Sequence, residues 1–290
     1  MDIKNISIVK LSRMYIRRFN KHDIMGLCAE MSFYLLTALF PFVILLFVIA
    51  TLISTSMQEM LLTLISYLPR DLEVLIVNLL SDFNGGIPIV IVCSVLALWY
   101  MSNVMSVLAK AMNKFYGIRK NRGYFKQRLI CMFFAVFIII LIFLSFALVI
   151  FGQGTQFLFE YFDLLDFIDT DTAWSYLRYI ACLLAIFLTM TLIFKQLPNK
   201  KLALGDILSG AALTTVAWCI ASYAFAVYVN SFSKYHIIYG SLASIIILVA
   251  WVYLSSLVIL LGASLNAFWY RLRFAKKYNI STKTNQITKN

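Results

Sequence analysis

Five polar side chains stand inside or at the edges of apolar runs: Glu30, Asn103, Asn113, Arg128 and Asn266. An acid, an amide or a guanidinium at such depth is costly unless it faces protein, water or a ligand. Each is therefore a candidate for contact with a bound or transported polar group. Glu30 has an equally simple reading as an interfacial carboxylate paired with a nearby Lys or Arg. Asn113 precedes Tyr116-Gly117 and a basic run that ends at Arg128, which makes a mouth suited to phosphate headgroups or anionic solutes. Pro41 removes a backbone donor in mid-helix and frees the carbonyl of Thr37, so it marks a kink or hinge.

Other chemistries are poorly supplied. The two histidines, His22 and His236, fall on opposite sides of the topology derived below, and no His/Asp cluster accompanies either. The five cysteines, Cys28, Cys93, Cys131, Cys182 and Cys219, have no CxxC spacing, and Asp163, Asp166 and Asp169 lack the glycine and terminal glutamate of a calcium loop. No GxxxxGK[ST] loop is present. The sequence thus predicts no catalytic residue, no metal site, no cofactor and no enzyme.

Six long uncharged runs must position the polar residues. Each can hold a helix of about 20 residues, the length that crosses roughly 30 Å of hydrocarbon. The expected spans lie near 31–54, 87–109, 129–151, 174–194, 207–229 and 242–268, with Arg178 inside the fourth, where its long side chain can snorkel. A composition that is 62% hydrophobic excludes a water-soluble domain of this size. The fold class is all-α: a polytopic membrane protein of six transmembrane helices with short interfacial helices. Residues 1–30 form a cytoplasmic amphipathic segment, 31–270 the transmembrane domain and 271–290 a basic cytoplasmic tail.

Charge orients the spans. Of the 25 Lys and Arg residues, 22 fall in the N-terminal segment, the second and fourth connections and the C-terminal tail. Only Arg70, Arg178 and Lys234 fall on the other side, with nine of the acids. The positive-inside rule places both termini in the cytoplasm. The formal net charge of +12 follows from that rule and from attraction to anionic lipid, and does not signal nucleic acid. With about thirty residues and six basic side chains before it, the first span reads as a retained signal-anchor.

The connections carry structure of their own. Ile8, Leu11, Tyr15 and Phe19 share one face of an amphipathic helix over 6–21, which suits the membrane interface or the end of the bundle. The first outer connection predicts two short helices separated by Pro69, and the third, over 152–173, another. Within the spans, Gly210 with Thr214, Ala217 with Ala221, and Gly262 with Asn266 repeat small residues four apart, a spacing that lets helices approach closely.

Longer-range order in the motifs points to a family. Glu30-Met31-Ser32-Phe33-Tyr34 leads to Leu39-Phe40-Pro41; Trp99 with Ser102, Ala111-Met112-Asn113 and Tyr116 follow; then come Leu197-Pro198-Asn199, Gly210-Ala211, Tyr239-Gly240, Trp251 with Tyr253, and Leu260-Leu261-Gly262-Ala263. From about residue 20 to 270 this chain resembles the YihY/BrkB family of bacterial inner-membrane proteins. Ser264 departs from it, since relatives often carry an acid after the Leu-Gly-Ala motif; a transport step that uses that acid would be missing here or would fall to Glu30. The resemblance implies a multi-pass protein of the bacterial cytoplasmic membrane. Its members were once labelled ribonuclease BN, a label regarded as mistaken; some are linked to serum resistance and one relative to lipid export.

Together these readings lead to a transporter or flippase-like protein for a lipid or amphiphile, partnered by membrane lipids and by anionic headgroups at the inner face. The alternative is a non-transporting membrane scaffold or envelope-assembly partner, acting as a homo-oligomer or with another envelope protein. Three spans followed by three more would give halves of opposite orientation, as in inverted-repeat transporters, although the halves show no convincing sequence similarity.

Overall fold

The computed structural model describes residues 23–53, 59, 62, 63, 65, 66, 70–81, 87–118, 122–150, 170–231 and 242–287. They form seven helices: α1 (Ile24–Ile53), α2 (Arg70–Ser81), α3 (Ile87–Tyr116), α4 (Tyr124–Ile150), α5 (Thr170–Gln196), α6 (Leu204–Ser231) and α7 (Leu242–Ile287). No strand occurs among the described residues. Among the described residues, five stretches are long and apolar enough to cross a membrane: Ile24–Ile49, Pro88–Tyr116, Tyr124–Leu141, Leu204–Val229 and Ile245–Arg271. Helix α5 adds a shorter apolar stretch, Cys182–Gln196. The amphipathic helix expected over 6–21 and the short helix within 152–173 fall largely outside the described residues.

Local chemistry sets the ends of these helices, and several run past the hydrophobic limits read from sequence. Helix α1 starts at Ile24, seven residues before the first expected span, because Asp23 caps it. Asp23 has φ 51° and its carboxylate accepts the Gly26 N–H at 3.4 Å. Glu30 therefore lies within the helix. Helix α3 continues to Tyr116 and stops at Gly117, which has φ +69°. There Ile118 N–H bonds the Asn113 carbonyl at 2.9 Å and Gly117 N–H the Lys114 carbonyl at 3.2 Å, the paired bonds of a Schellman cap. Helix α6 carries Asp206 in its first turn, where a carboxylate suits the helix dipole. Helix α7 runs to Ile287, well beyond its apolar stretch.

The helices pack in a chain of neighbours. In the first half α3 lies between α1 and α4; in the second α6 lies between α5 and α7. Helix α7 joins the halves by packing on both α1 and α3. The principal core gathers the start of α1 (Ile24, Leu27, Cys28, Met31), the last half of α3 (Met101 to Tyr116), Cys131 and Phe134 of α4, Phe194 and Leu197 at the end of α5, Ile207 and Ala211 of α6, and Leu260 and Ala263 of α7. These segments surround the loops that hold Arg122, Lys200 and Lys201, so the core sits at the basic end of the bundle. A smaller cluster of Ile44, Leu45 and Val48 with Cys93 and Ile76 places α2 at the opposite end of α1 and α3.

Packing is uneven along the outer helices. Helix α6 buries Ile207, Gly210, Ala211, Thr214 and Thr215, but from Val216 to Val229 none of its side chains is buried. The described side chains of α5 from Ile180 to Met190 and of α4 from Val136 to Leu141 are likewise unburied. Away from the basic end, α6 and α7 touch through aromatic rings: Trp218 and Phe225 lie 5.9 and 5.2 Å from Trp251 between ring centroids.

Close approach of α6 and α7 near the basic end depends on two glycines. The Gly210 N–H donates to Asn266 Oδ1 at 2.7 Å, and the Thr214 hydroxyl bonds the Gly210 carbonyl at 2.8 Å. A methyl on Gly210 would collide with the Asn266 amide, and one on Gly262 would collide with the Thr214 hydroxyl. The repeats Gly210/Thr214 and Gly262/Asn266 thus face each other across one interface.

Candidate functional site: a polar seam on α3

Trp99, Asn103, Ser106, Lys110 and Asn113 recur every three or four residues along α3, so they occupy one face of that helix. Each except Trp99 meets a polar group of a neighbouring element, and Trp99 meets a cation. Arg128 of α4 donates from Nη1 to Asn103 Oδ1 at 2.7 Å, and its guanidinium lies 4.3 Å from the centre of the Trp99 ring. The Ser106 hydroxyl contacts Cys131 Sγ at 3.6 Å. The Lys110 ammonium reaches Glu30 at 3.3 Å. Asn113 Oδ1 accepts the backbone N–H of Asn199 at 2.8 Å.

Arg128 has an unusual direction. Ser106 faces Cys131, and α3 and α4 are antiparallel neighbours joined by a short connection, so Arg128 leaves its helix level with about residue 109 of α3. Asn103 lies about six residues, or roughly 9 Å, further from the basic end. Snorkelling toward water would send the side chain the other way. Its Nη2 atom is buried without a hydrogen-bond partner.

Glu30 and Lys110 form a different kind of contact. Their side chains are 38% and 66% exposed. Solvent-screened pairs of this type contribute little, about 0–1 kcal/mol. Glu30 and Lys110 thus meet at a partly exposed contact between α1 and α3.

Polar contacts also fasten the basic end. Arg271 Nη2 donates to the Phe115 carbonyl at 2.6 Å, and Arg122 reaches the Pro198 carbonyl at 3.2 Å. Arg273 binds the Gly205 carbonyl at 2.7 Å and Asp206 at 2.9 Å. Lys200 lies over the Tyr270 ring at 4.5 Å, and that ring meets Tyr116 edge-on. Arginine suits these positions because its fork of donors can satisfy carbonyls that helix ends leave open. Asn113, read from sequence as part of an anion-binding mouth, belongs to this set of fasteners through its bond to Asn199.

The five polar candidates do not converge on one point. Asn103 and Arg128 come together; Glu30 lies two turns along α3 from them, through Lys110; Asn113 sits at the helix end. Asn266 is on α7, fully buried against Gly210, with its Nδ2 unpartnered. Helix α1 runs unbroken through Pro41, and the Thr37 hydroxyl bonds the carbonyls of Phe33 and Tyr34. Sequence reasoning missed the buried hydroxyl pair Ser32 and Ser256, 3.2 Å apart between α1 and α7. It also missed the role of Trp99, for which the four-residue spacing to Asn103 was the available signal.

No group of three or more potential metal-binding side chains occurs among the described residues. No charged side chain among them is fully buried.

Comparison with known proteins bears on this arrangement. Residues 15–286 match the family described as Virulence factor BrkB. The chain is 28% identical over 262 residues to a Bacillus subtilis protein named "Putative ribonuclease-like protein YfkH", covering 88% of this chain and 93% of that one. A "UPF0761 membrane protein" of Vibrio campbellii is 42% identical over 92 residues, covering 32% of this chain and 29% of its own. One of the same name from Coxiella burnetii is 44% identical over 78 residues, covering 27% and 28%. No solved structure matches. With nearly its whole length matched, the chain belongs to the Virulence factor BrkB family of multi-pass helical membrane proteins.

Proposed function

We propose that this protein moves a lipid or other amphiphile across the bacterial cytoplasmic membrane, with both termini in the cytoplasm and the basic end of the bundle facing inward. The observation that carries the reading is the uneven packing. Arg122, Arg271 and Asn113 fasten one end, while α4, α5 and α6 bury no described side chain further along. Such a bundle offers apolar and aromatic surface to an acyl chain beside a polar seam for a headgroup. Anionic lipid at the inner face is the expected partner of the basic end. The bacterial sources of the relatives agree with the proposed location.

One observation favours a second reading, a non-transporting scaffold in the envelope. No fully buried acid or base is available among the described residues to couple movement to an ion gradient. The two readings part in reconstituted liposomes. Fluorescent phospholipid should cross faster with protein than in empty vesicles, and the Glu30→Gln variant should match the wild type because the pair it breaks is exposed. A flat result across several headgroups would remove the transport reading and favour the scaffold.

A further inference from the structure

We propose that Arg128, Asn103 and Trp99 form an intramembrane subsite for a phosphate group, entered sideways from the lipid along the α3–α4 groove. The subsite deepens the transport reading and rests on it for its purpose, but binding can be measured without movement.

Three observations combine. The Arg128 guanidinium points away from the basic end by the register argument above, although water and headgroups lie at that end. An arginine inside a span is costly, and its attachment here consists of one amide oxygen and one ring face. Nη2 has no partner, and Arg128 forms no ion pair among the described residues. A guanidinium so held keeps part of its donor fork free, and that fork matches two oxygens of a phosphate. Nη2 itself is buried, so an anion reaches it from the side only as the Trp99 ring, 52% exposed and near the 71% exposed Leu129, swings toward the lipid.

Each residue then has a distinct task. Asn103 holds Nη1 and so fixes the plane of the fork. Trp99 supports the cation from one face. Nη2 is left for the anion. The Glu30 carboxylate of α1 meets Lys110, two turns along α3 from Asn103, and forms no ion pair with Arg128. Phosphate can arrive on a phospholipid or as the free ion. The half-exposed apolar surroundings favour the phospholipid.

The test uses the full chain in detergent micelles and tryptophan quenching by brominated phosphatidylglycerol, brominated diacylglycerol and inorganic phosphate. Comparison with Trp99→Phe isolates the signal of this ring from the other four tryptophans. Phosphatidylglycerol should bind more tightly than diacylglycerol, and Arg128→Gln should weaken it by about tenfold or more, the loss expected for a hydrogen-bonded charge. Arg128→Lys should fall between, keeping the charge and losing the fork. If inorganic phosphate protects the ring in the same Arg128-dependent way without lipid preference, the subsite stands and its ligand is the free ion. Equal phosphatidylglycerol affinity for the wild type, Arg128→Gln and Arg128→Lys would overturn it. Melting curves identify a misfolded glutamine variant, in which case the lysine variant decides. Binding without transbilayer movement would remove the transport reading alone; movement without Arg128-dependent binding would remove the subsite alone.

Discussion

Replacing Gly262 by Ala sets two well-known effects against each other at the α6–α7 contact. Helix propensity favours alanine by about 1 kcal/mol. Sterics oppose it: the new methyl would overlap the Thr214 hydroxyl and come within 2.9 Å of the Gly210 carbonyl. Thr214 can rotate away only by giving up its 2.8 Å bond to that carbonyl. The carbonyl is backbone and cannot swing aside, so the helices must part. Overpacking of this kind costs about 1–3 kcal/mol, and a clash with backbone belongs in the upper half of that range. The net expectation is a loss of about 1–2 kcal/mol after the propensity gain. Reversible unfolding in mixed micelles measures it. Thr214→Ala in the same background should recover at least about 0.5 kcal/mol, since contacting residues couple. As a control without a clash, Gly123→Ala should cost no more than about 1 kcal/mol, the loss of an N-cap glycine, because nothing lies within 4 Å of its added methyl. A Gly262→Ala protein as stable as the wild type would refute the close approach of α6 and α7.

Other perturbations follow from the same contacts. Asn266→Ala should destabilise by about 1–3 kcal/mol in the same unfolding assay, since it removes the buried acceptor of the Gly210 N–H and leaves a void. Glu30→Gln should change stability by less than about 1 kcal/mol and remove only a salt-sensitive contribution, measured by unfolding at low and high ionic strength. Gly117→Ala should cost about 1–2 kcal/mol, because φ +69° is strained for any side chain and Arg271 occupies the space. Arg271→Ala should speed hydrogen exchange at Gly117 and Ile118, whose cap it braces through the Phe115 carbonyl.

Much of the fold was legible because hydrocarbon imposes a length on every helix that crosses it. The apolar runs around 31–54 and 87–109 announced α1 and α3 without any tertiary information. Their ends were less legible, since hydropathy stops at Glu30 and Lys110 while backbone capping does not. Asp23 and Gly117 set those limits, and both signals were present as an N-cap residue and a glycine after a basic turn. The repeats at Gly210 and Gly262 revealed that close packing would occur, but only the structure paired them with each other. At the candidate site, residue types identified Arg128 and Asn103 separately. Their union depends on the α3–α4 register and on a side chain that runs against the snorkelling direction, which no spacing rule contains. Asn113 gains a structural contact that its residue type does not announce, since its Oδ1 accepts the backbone N–H of Asn199 across the basic end.

The most direct test of the account is the fraction of lipid that becomes accessible as protein copies per vesicle increase. Vesicles carrying headgroup-labelled phospholipid are exposed to a membrane-impermeant quencher, with the wild type reconstituted from far below to above one copy each. A protein that moves lipid predicts that the quenched fraction climbs from the outer-leaflet value toward completion as more vesicles receive a copy. A fraction that stays at the outer-leaflet value at every copy number, with protein verified as folded and inserted, would contradict the proposed function.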